Sequence, residues 1–160
     1  MDDKVQRGEQ WLGELLDLAK LPTSVKAGAS QIRDDGSCWL EIDDAALSEE
    51  QATGLIGDRG SVLDAVQYLI NTTLNLGKGD EDQQHYTIEL RGYREQRQAE
   101  LKQIADEAAQ QVLETGEPFE IASLSSAERR QVHTYLKDYE GLKTESQGQE
   151  PDRRLVVQRV

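Results

Sequence analysis

Leu55-Ile56-Gly57-Asp58-Arg59-Gly60-Ser61-Val62-Leu63-Asp64-Ala65-Val66-Gln67-Tyr68-Leu69 joins two helical patterns across a Gly-x-x-Gly break. Before the break, Ser48 is placed to cap a short helix running through Ala52 to Leu55. After it, Val62, Leu63, Val66, Leu69, Ile70 and Leu74 recur at three-four spacing and predict a helix over 61–74. Glycines tolerate positive φ and lack the Cβ that would hold a sugar-phosphate backbone away. The helix that follows directs its first N–H groups at the same place, which attracts anions. Gly57, Asp58, Arg59 and Gly60 are therefore candidate nucleic-acid contacts, with Arg59 as the phosphate partner. The plain alternative for Arg59 is an exposed arginine on a turn. Gly-x-x-Gly by itself is a weak pattern, and its setting gives it weight.

That setting extends in both directions. Residues 5–19 read as a helix, with Trp11, Leu12, Leu15, Leu16 and Ala19 on one face and Pro22 as the stop. A weak strand over 25–32 leads through the turn signal Asp34-Asp35-Gly36 into a strand over 38–42. In that strand Cys38, Leu40 and Ile42 alternate against Trp39 and Glu41, which makes Cys38 a small core residue. Past the 61–74 helix, a polar loop over 77–82 precedes a strand carrying Tyr86, Ile88 and Leu90. The order is helix, strand, strand, helix, Gly-x-x-Gly, helix, strand. A KH module clamps about four nucleotides of single-stranded nucleic acid on a Gly-x-x-Gly loop held between helices in this way.

The remainder opens with a long helix over 93–115, its stripe formed by Leu101, Ile104, Ala105, Ala108, Val112 and Leu113 and its end marked by Gly116 and Pro118. A strand over 119–122 follows. Ser125-x-x-Glu128 is a capping box for a helix reaching about residue 139. Strands over 142–146 and 155–160 close the chain, joined by a loop holding Gly148 and Pro151. The natural boundary lies near Gly92, giving domains over 1–92 and 93–160. Arg129 and His133, four apart on the second domain's short helix, share a face and set a planar guanidinium beside an imidazole, both suited to phosphate oxygens. Arg130 lies one step round, and Arg153 and Arg154 return after a strand to complete a basic patch. The alternatives are a tertiary salt bridge for Arg129 and a half-buried core role for His133. Tyr135 and Tyr139 suit base stacking or core packing, the core being the better assignment for at least one.

A net charge of −13 opposes nucleic-acid binding at first sight. Its distribution matters more. Residues 124–160 hold seven Lys/Arg against six acids, so the other −14 lies on residues 1–123. The hydrophobic fraction of 36% supports a modest core, and no apolar run approaches the ~20 residues of a membrane span. One cysteine precludes an internal disulfide and a thiolate metal cage, and the two histidines lack zinc-ligand spacing. The N-terminus lacks the order of a signal peptide, which points to the cytoplasm. The sequence holds no nucleophile elbow and no His-Glu-x-x-His set; the acid runs Asp43-Asp44 and Asp80-Glu81-Asp82 sit in turn-like stretches. No enzymatic activity, cofactor or metal is expected.

Leu55 to Leu69 resembles the KH core of the Jag proteins, also called KhpB or SpoIIIJ-associated proteins. The resemblance continues at Gly92-Tyr93-Arg94-Glu95-Gln96-Arg97, through Ser126-Ala127-Glu128-Arg129-Arg130-Gln131-Val132-His133, at Thr144-Glu145-Ser146-Gln147-Gly148, and at Glu150-Pro151-Asp152-Arg153-Arg154. It covers nearly the whole chain. It implies an α+β chain: a type II KH domain followed by a small α/β domain of the Arg-x-x-x-His type, a single-stranded nucleic-acid binder. Two departures stand out. The family usually carries a basic residue in the loop where this chain has Asp58, and an acid there repels phosphate. Many members also have a further small N-terminal domain, whereas this chain begins almost directly with the KH helix, so that domain's functions are not expected here.

The resulting expectation is a single-stranded RNA-binding protein of the bacterial cytoplasm, a post-transcriptional regulator or RNA chaperone. Single-stranded DNA is a second ligand class. The resemblance also implies a link to cell-shape and division control and a heterodimer with a small single-KH protein. A second reading stays open: a protein-interaction adaptor whose acidic KH half docks a partner. Salt dependence separates them, because a phosphate interface weakens steeply with salt.

Overall fold

A computed structural model describes residues 3–26 and 29–160, and the chain divides into two units, Met1–Arg94 and Glu95–Val160. In the first unit, α1 (Asp3–Leu18) buries Leu12 and Leu16, four apart on one face. Strand β1 (Gln31–Ile32) turns back through Gly36 and pairs antiparallel with β2 (Cys38–Glu41). Strand β3 (Tyr86–Glu89) lies parallel to β2 in the register Cys38↔Tyr86 to Glu41↔Glu89. A parallel pair needs a crossover. It is supplied by α2 (Glu49–Ile56) and α3 (Ser61–Asn75), with the Gly-x-x-Gly break between them. Ser48 caps α2 in a full capping box with Gln51. Leu12, Leu16, Leu40, Ile42, Leu63, Ile70, Ile88 and Leu90 form the core, and Cys38 is fully buried among them.

Three details differ from the sequence reading. The strand over 25–32 is not continuous: Val25 makes an isolated bridge to Ile42, and only Gln31–Ile32 joins the sheet, while residues 27 and 28 lie outside the described residues. Trp39, on the opposite side of β2 from the core, is nevertheless buried, because the Arg33 guanidinium stacks 3.3 Å from its ring centroid. On α3 only Leu63, Val66 and Ile70 are buried; Val62 and Leu69 are exposed, since the apolar stripe is wider than the core face.

The break itself is a single 3₁₀ turn over Asp58–Gly60, with Arg59 at φ 51° and Gly60 at φ 79°. Gly60 is buried, and a Cβ built on it meets the Tyr93 ring at 2.6 Å. Its missing side chain makes room for Tyr93 rather than for an incoming phosphate. Gly60→Ala should therefore destabilise this unit by about 2–4 kcal/mol, from left-handed strain and ring displacement together. Gly36 at φ 80° has open space where its Cβ would sit. Gly36→Ala carries the strain alone, and chemical denaturation of the two variants isolates the ring contact. Equal losses would refute it.

In the second unit, α4 (Tyr93–Thr115), whose first two residues belong to the first unit, buries Leu101, Ala105, Ala108, Ala109 and Val112. Strand β4 (Phe119–Ile121), helix α5 (Ser126–Leu136), and strands β5 (Leu142–Gln147) and β6 (Arg154–Arg159) follow. The sheet runs β4-β6-β5, all antiparallel. Leu155 and Val157 of β6 join Val132 and Leu136 of α5 in the core, whereas Leu113 at the end of α4 is exposed. Helix α5 stops three residues short of the predicted limit. Tyr135 and Tyr139 both pack on this core rather than standing free for bases; the Tyr139 hydroxyl donates to Asp106 at 2.5 Å, which raises its pKa. The two units together are α+β.

Candidate nucleic-acid interface

The site starts from the cap of α5. Ser125 Oγ accepts from the Glu128 N–H at 3.1 Å, and the Glu128 carboxylate accepts the Ser125 N–H at 3.0 Å, the reciprocal pair read from sequence. Glu128 also takes the Arg97 Nε at 2.8 Å, which raises the already high pKa of that guanidinium. The start of α5 is thereby fixed to α4.

From this anchored start, Arg129 and His133 stand one turn apart, as the four-residue spacing requires. Their surroundings differ. Arg129 is buried: it donates from Nη1 to the Leu124 carbonyl at 2.6 Å and to the Arg153 carbonyl at 3.4 Å, and from Nη2 to Ser126 Oγ at 3.0 Å. Its charge is met by Glu150. The salt-bridge alternative therefore describes Arg129 in this structure. His133 is half-buried, and its Nδ1 shares a hydrogen bond with Thr144 Oγ1. Arg130 is exposed and makes no ion pair among the described residues.

An open cleft of about 340 Å³ lies over these side chains. Ser126, Arg129, Arg130 and His133 line it from α5, with Thr144 and Ser146 from β5, and Arg153 and Leu155 from the β6 side. Strand alternation selects them. Thr144 and Ser146 are two apart on one face, and Ser146 stands opposite Leu155. Arg153 donates from Nε to Ser146 Oγ at 2.7 Å, which sets its guanidinium at the rim. Arg154, the next residue, falls on the other face and pairs with Glu120 at 3.1 Å. The structure thus brings Arg129, Arg130, His133 and Arg153 together and leaves Arg154 out. No carboxylate and no aromatic ring lines the cleft. The arrangement offers cations and hydroxyls to an anion and no platform for a base.

Sequence reasoning did not pick out Ser126, Thr144, Ser146 or Glu150. The period-two pattern of β5 was the available signal for Thr144 and Ser146. For Glu150, 21 residues from Arg129, there was no local signal.

The other candidate site is the Gly57–Gly60 loop. Its Asp58 and Arg59 side chains are exposed, and the Asp58 carboxylate lies 4.0 Å from Arg59 Nε. The helix start at Gly60 has no side-chain cap. The loop thus presents N–H groups and an arginine, with a carboxylate against that arginine. Gly57, at φ 76°, holds a backbone geometry open to glycine. As for the acid runs, Asp44 pairs with Arg91 at 2.9 Å and Asp43 accepts the Ala45 N–H at 3.0 Å. Among the described residues, no group of three or more His, Cys, Asp or Glu is placed to hold a metal ion, and no helix is long and apolar enough to cross a membrane.

A helix that presents Arg129 and His133 over a two-faced antiparallel sheet defines the class, and residues 99–159 match the family model of the Arg-x-x-x-His domain. The second unit of this chain carries that domain, which is a nucleic-acid-binding domain. The chain as a whole is homologous to RNA-binding proteins named KhpB. It is 34% identical to the KhpB of Bacillus subtilis (strain 168) over 113 residues, 69% of this chain and 53% of that protein. It is 26% identical to the KhpB of Clostridium symbiosum over 148 residues, 92% of this chain and 63% of that protein. The KhpB of Streptococcus pneumoniae serotype 2 is 32% identical over 103 residues, 64% of this chain and 31% of that protein. The chain spans less than two thirds of the length of each of these relatives.

Proposed function

We propose that this chain binds single-stranded RNA, with the cleft of the Arg-x-x-x-His domain as the principal phosphate site, and that it acts as a post-transcriptional regulator or RNA chaperone in the bacterial cytoplasm rather than as an enzyme. The observation that carries the reading is the cleft. In a chain of net charge −13, its lining holds three arginines and a histidine, with hydroxyls and no acid. The name of the relatives, RNA-binding protein, supports RNA as the polymer. Single-stranded DNA offers the same phosphates and is the second ligand. The absence of aromatic rings from the cleft favours backbone contacts and little sequence preference there.

The first unit is proposed as a type II KH domain. The order α1, β1, β2, α2, break, α3, β3 supports this, as does the parallel β2–β3 pair. Its loop is the weaker site, because Asp58 stands beside Arg59 where a phosphate would approach. The family resemblance further suggests a heterodimer with a small single-KH protein and a role in cell-shape and division control. Val62 and Leu69, exposed and seven apart on α3, give that heterodimer an apolar patch.

Binding of a labelled short oligouridine by the full chain, measured across salt concentrations, tests the reading. Saturable binding with a steep negative salt slope is expected. The adaptor alternative, favoured by the −14 charge on residues 1–123, predicts no saturable binding at any salt.

A further inference from the structure

The pair between Arg129 and Glu150 is lopsided. The arginine side chain is 6% exposed and the carboxylate 56%. Glu150 therefore covers a buried guanidinium from the solvent side, at the edge of the cleft. It sits in the loop between β5 and β6. It also accepts from Ser126 Oγ at 3.4 Å, the same hydroxyl that accepts from Arg129 Nη2. A carboxylate on an arginine fork and a hydroxyl has the geometry of a phosphodiester, whose two non-bridging oxygens meet the same donors.

We propose that Arg129 and Ser126 form a latent phosphate subsite that Glu150 occupies in the free protein, and that an RNA phosphate exchanges with Glu150 on binding. The proposal rests on the reading of the cleft as the RNA site. Three physical points carry it. Removing an anion from a buried guanidinium is costly unless another anion takes its place, so the subsite is never left empty. The leaving group is half-exposed and returns to water at little cost. The incoming group is delivered by its own chain, because Arg130 and Arg153 line the same cleft and hold neighbouring phosphates at an effective concentration in the millimolar range. A free phosphate ion lacks that advantage. Glu150 thus acts as a filter: it resists single anions and yields to a polymer of them.

The full chain and its Glu150→Gln variant are titrated into labelled oligouridine at low salt, and both are melted with and without inorganic phosphate. Glu150→Gln is expected to bind oligouridine on the order of fivefold tighter, the upper range for one partly exposed charge pair. Its melting temperature should gain more from phosphate than the wild type's. Equal or weaker RNA binding by the variant, with the wild type binding normally, overturns the exchange and makes Glu150 a positioning residue for Arg129. If the wild type binds no oligouridine, the reading of the cleft fails, and the phosphate melts still decide the subsite: a larger gain in the variant supports it and an equal gain refutes it. Should Glu150→Gln melt too low to titrate, Glu150→Asp keeps the charge but shortens its reach. Its affinity should exceed that of wild type, and wild-type affinity would overturn the proposal.

Discussion

Arg129→Ala should lower the unfolding free energy of the second unit by about 3 kcal/mol, more than loss of any other arginine in that unit. The substitution deletes the donor that satisfies the Leu124 carbonyl and severs links to Ser126, Glu150 and the Arg153 carbonyl. It also empties a buried volume beside Leu124 and Val132, both core residues. Glu150 moderates the loss, because its half-exposed carboxylate is readily hydrated once released. Arg129→Lys retains the charge but lacks the planar fork, so it should fall between alanine and wild type. Arg130→Ala, one residue on and exposed, should stay within about 0.5 kcal/mol of wild type. Urea denaturation of the three variants makes the comparison. Unchanged stability of Arg129→Ala would mean that its hydrogen bonds carry no net free energy and that the motif arginine is free for ligands.

The contrast between Arg129 and Arg130 marks where sequence reading reached its limit. Features set by neighbouring residues were legible. The capping box at Ser125 and Glu128, the Ser48 cap, the span of α4 from Tyr93 to Thr115 and its stop at Gly116 all follow from backbone chemistry within one or two turns. Depth was not legible. A four-residue spacing says that Arg129 and His133 share a face, but not that one guanidinium is turned toward the Leu124 carbonyl while the imidazole meets Thr144. Those outcomes depend on a strand and a loop 11 and 21 residues away. The apolar stripe of α3 shows the same limit: it named Leu63, Val66 and Ile70 correctly for the core and could not exclude Val62 and Leu69. Arg153 and Arg154 are a different case. Adjacent residues entering a strand point to opposite faces. That rule alone could have separated the arginine that lines the cleft from the one that pairs with Glu120.

That separation supplies the control for the second large effect. Arg130→Ala combined with Arg153→Ala should weaken oligouridine binding on the order of tenfold per arginine at low salt, equivalent to about 1.4 kcal/mol each. The salt slope should fall by roughly two units, one for each phosphate no longer neutralised. Both side chains line the cleft and neither makes an ion pair among the described residues, so their charge is available to a ligand and the fold depends little on it. The melting temperature should therefore stay close to wild type. Arg154→Ala removes the same formal charge next door, yet from a residue paired with Glu120 on the opposite face. If long-range charge were the cause, Arg154→Ala would reproduce half of the double variant's effect; if the cleft is the site, it should change affinity little. Arg59→Ala completes the set, because it removes the phosphate candidate of the Gly57–Gly60 loop. Should the double variant bind like wild type while Arg59→Ala abolishes binding, the loop is the principal site, and the carboxylate of Asp58 beside Arg59 does not impede it.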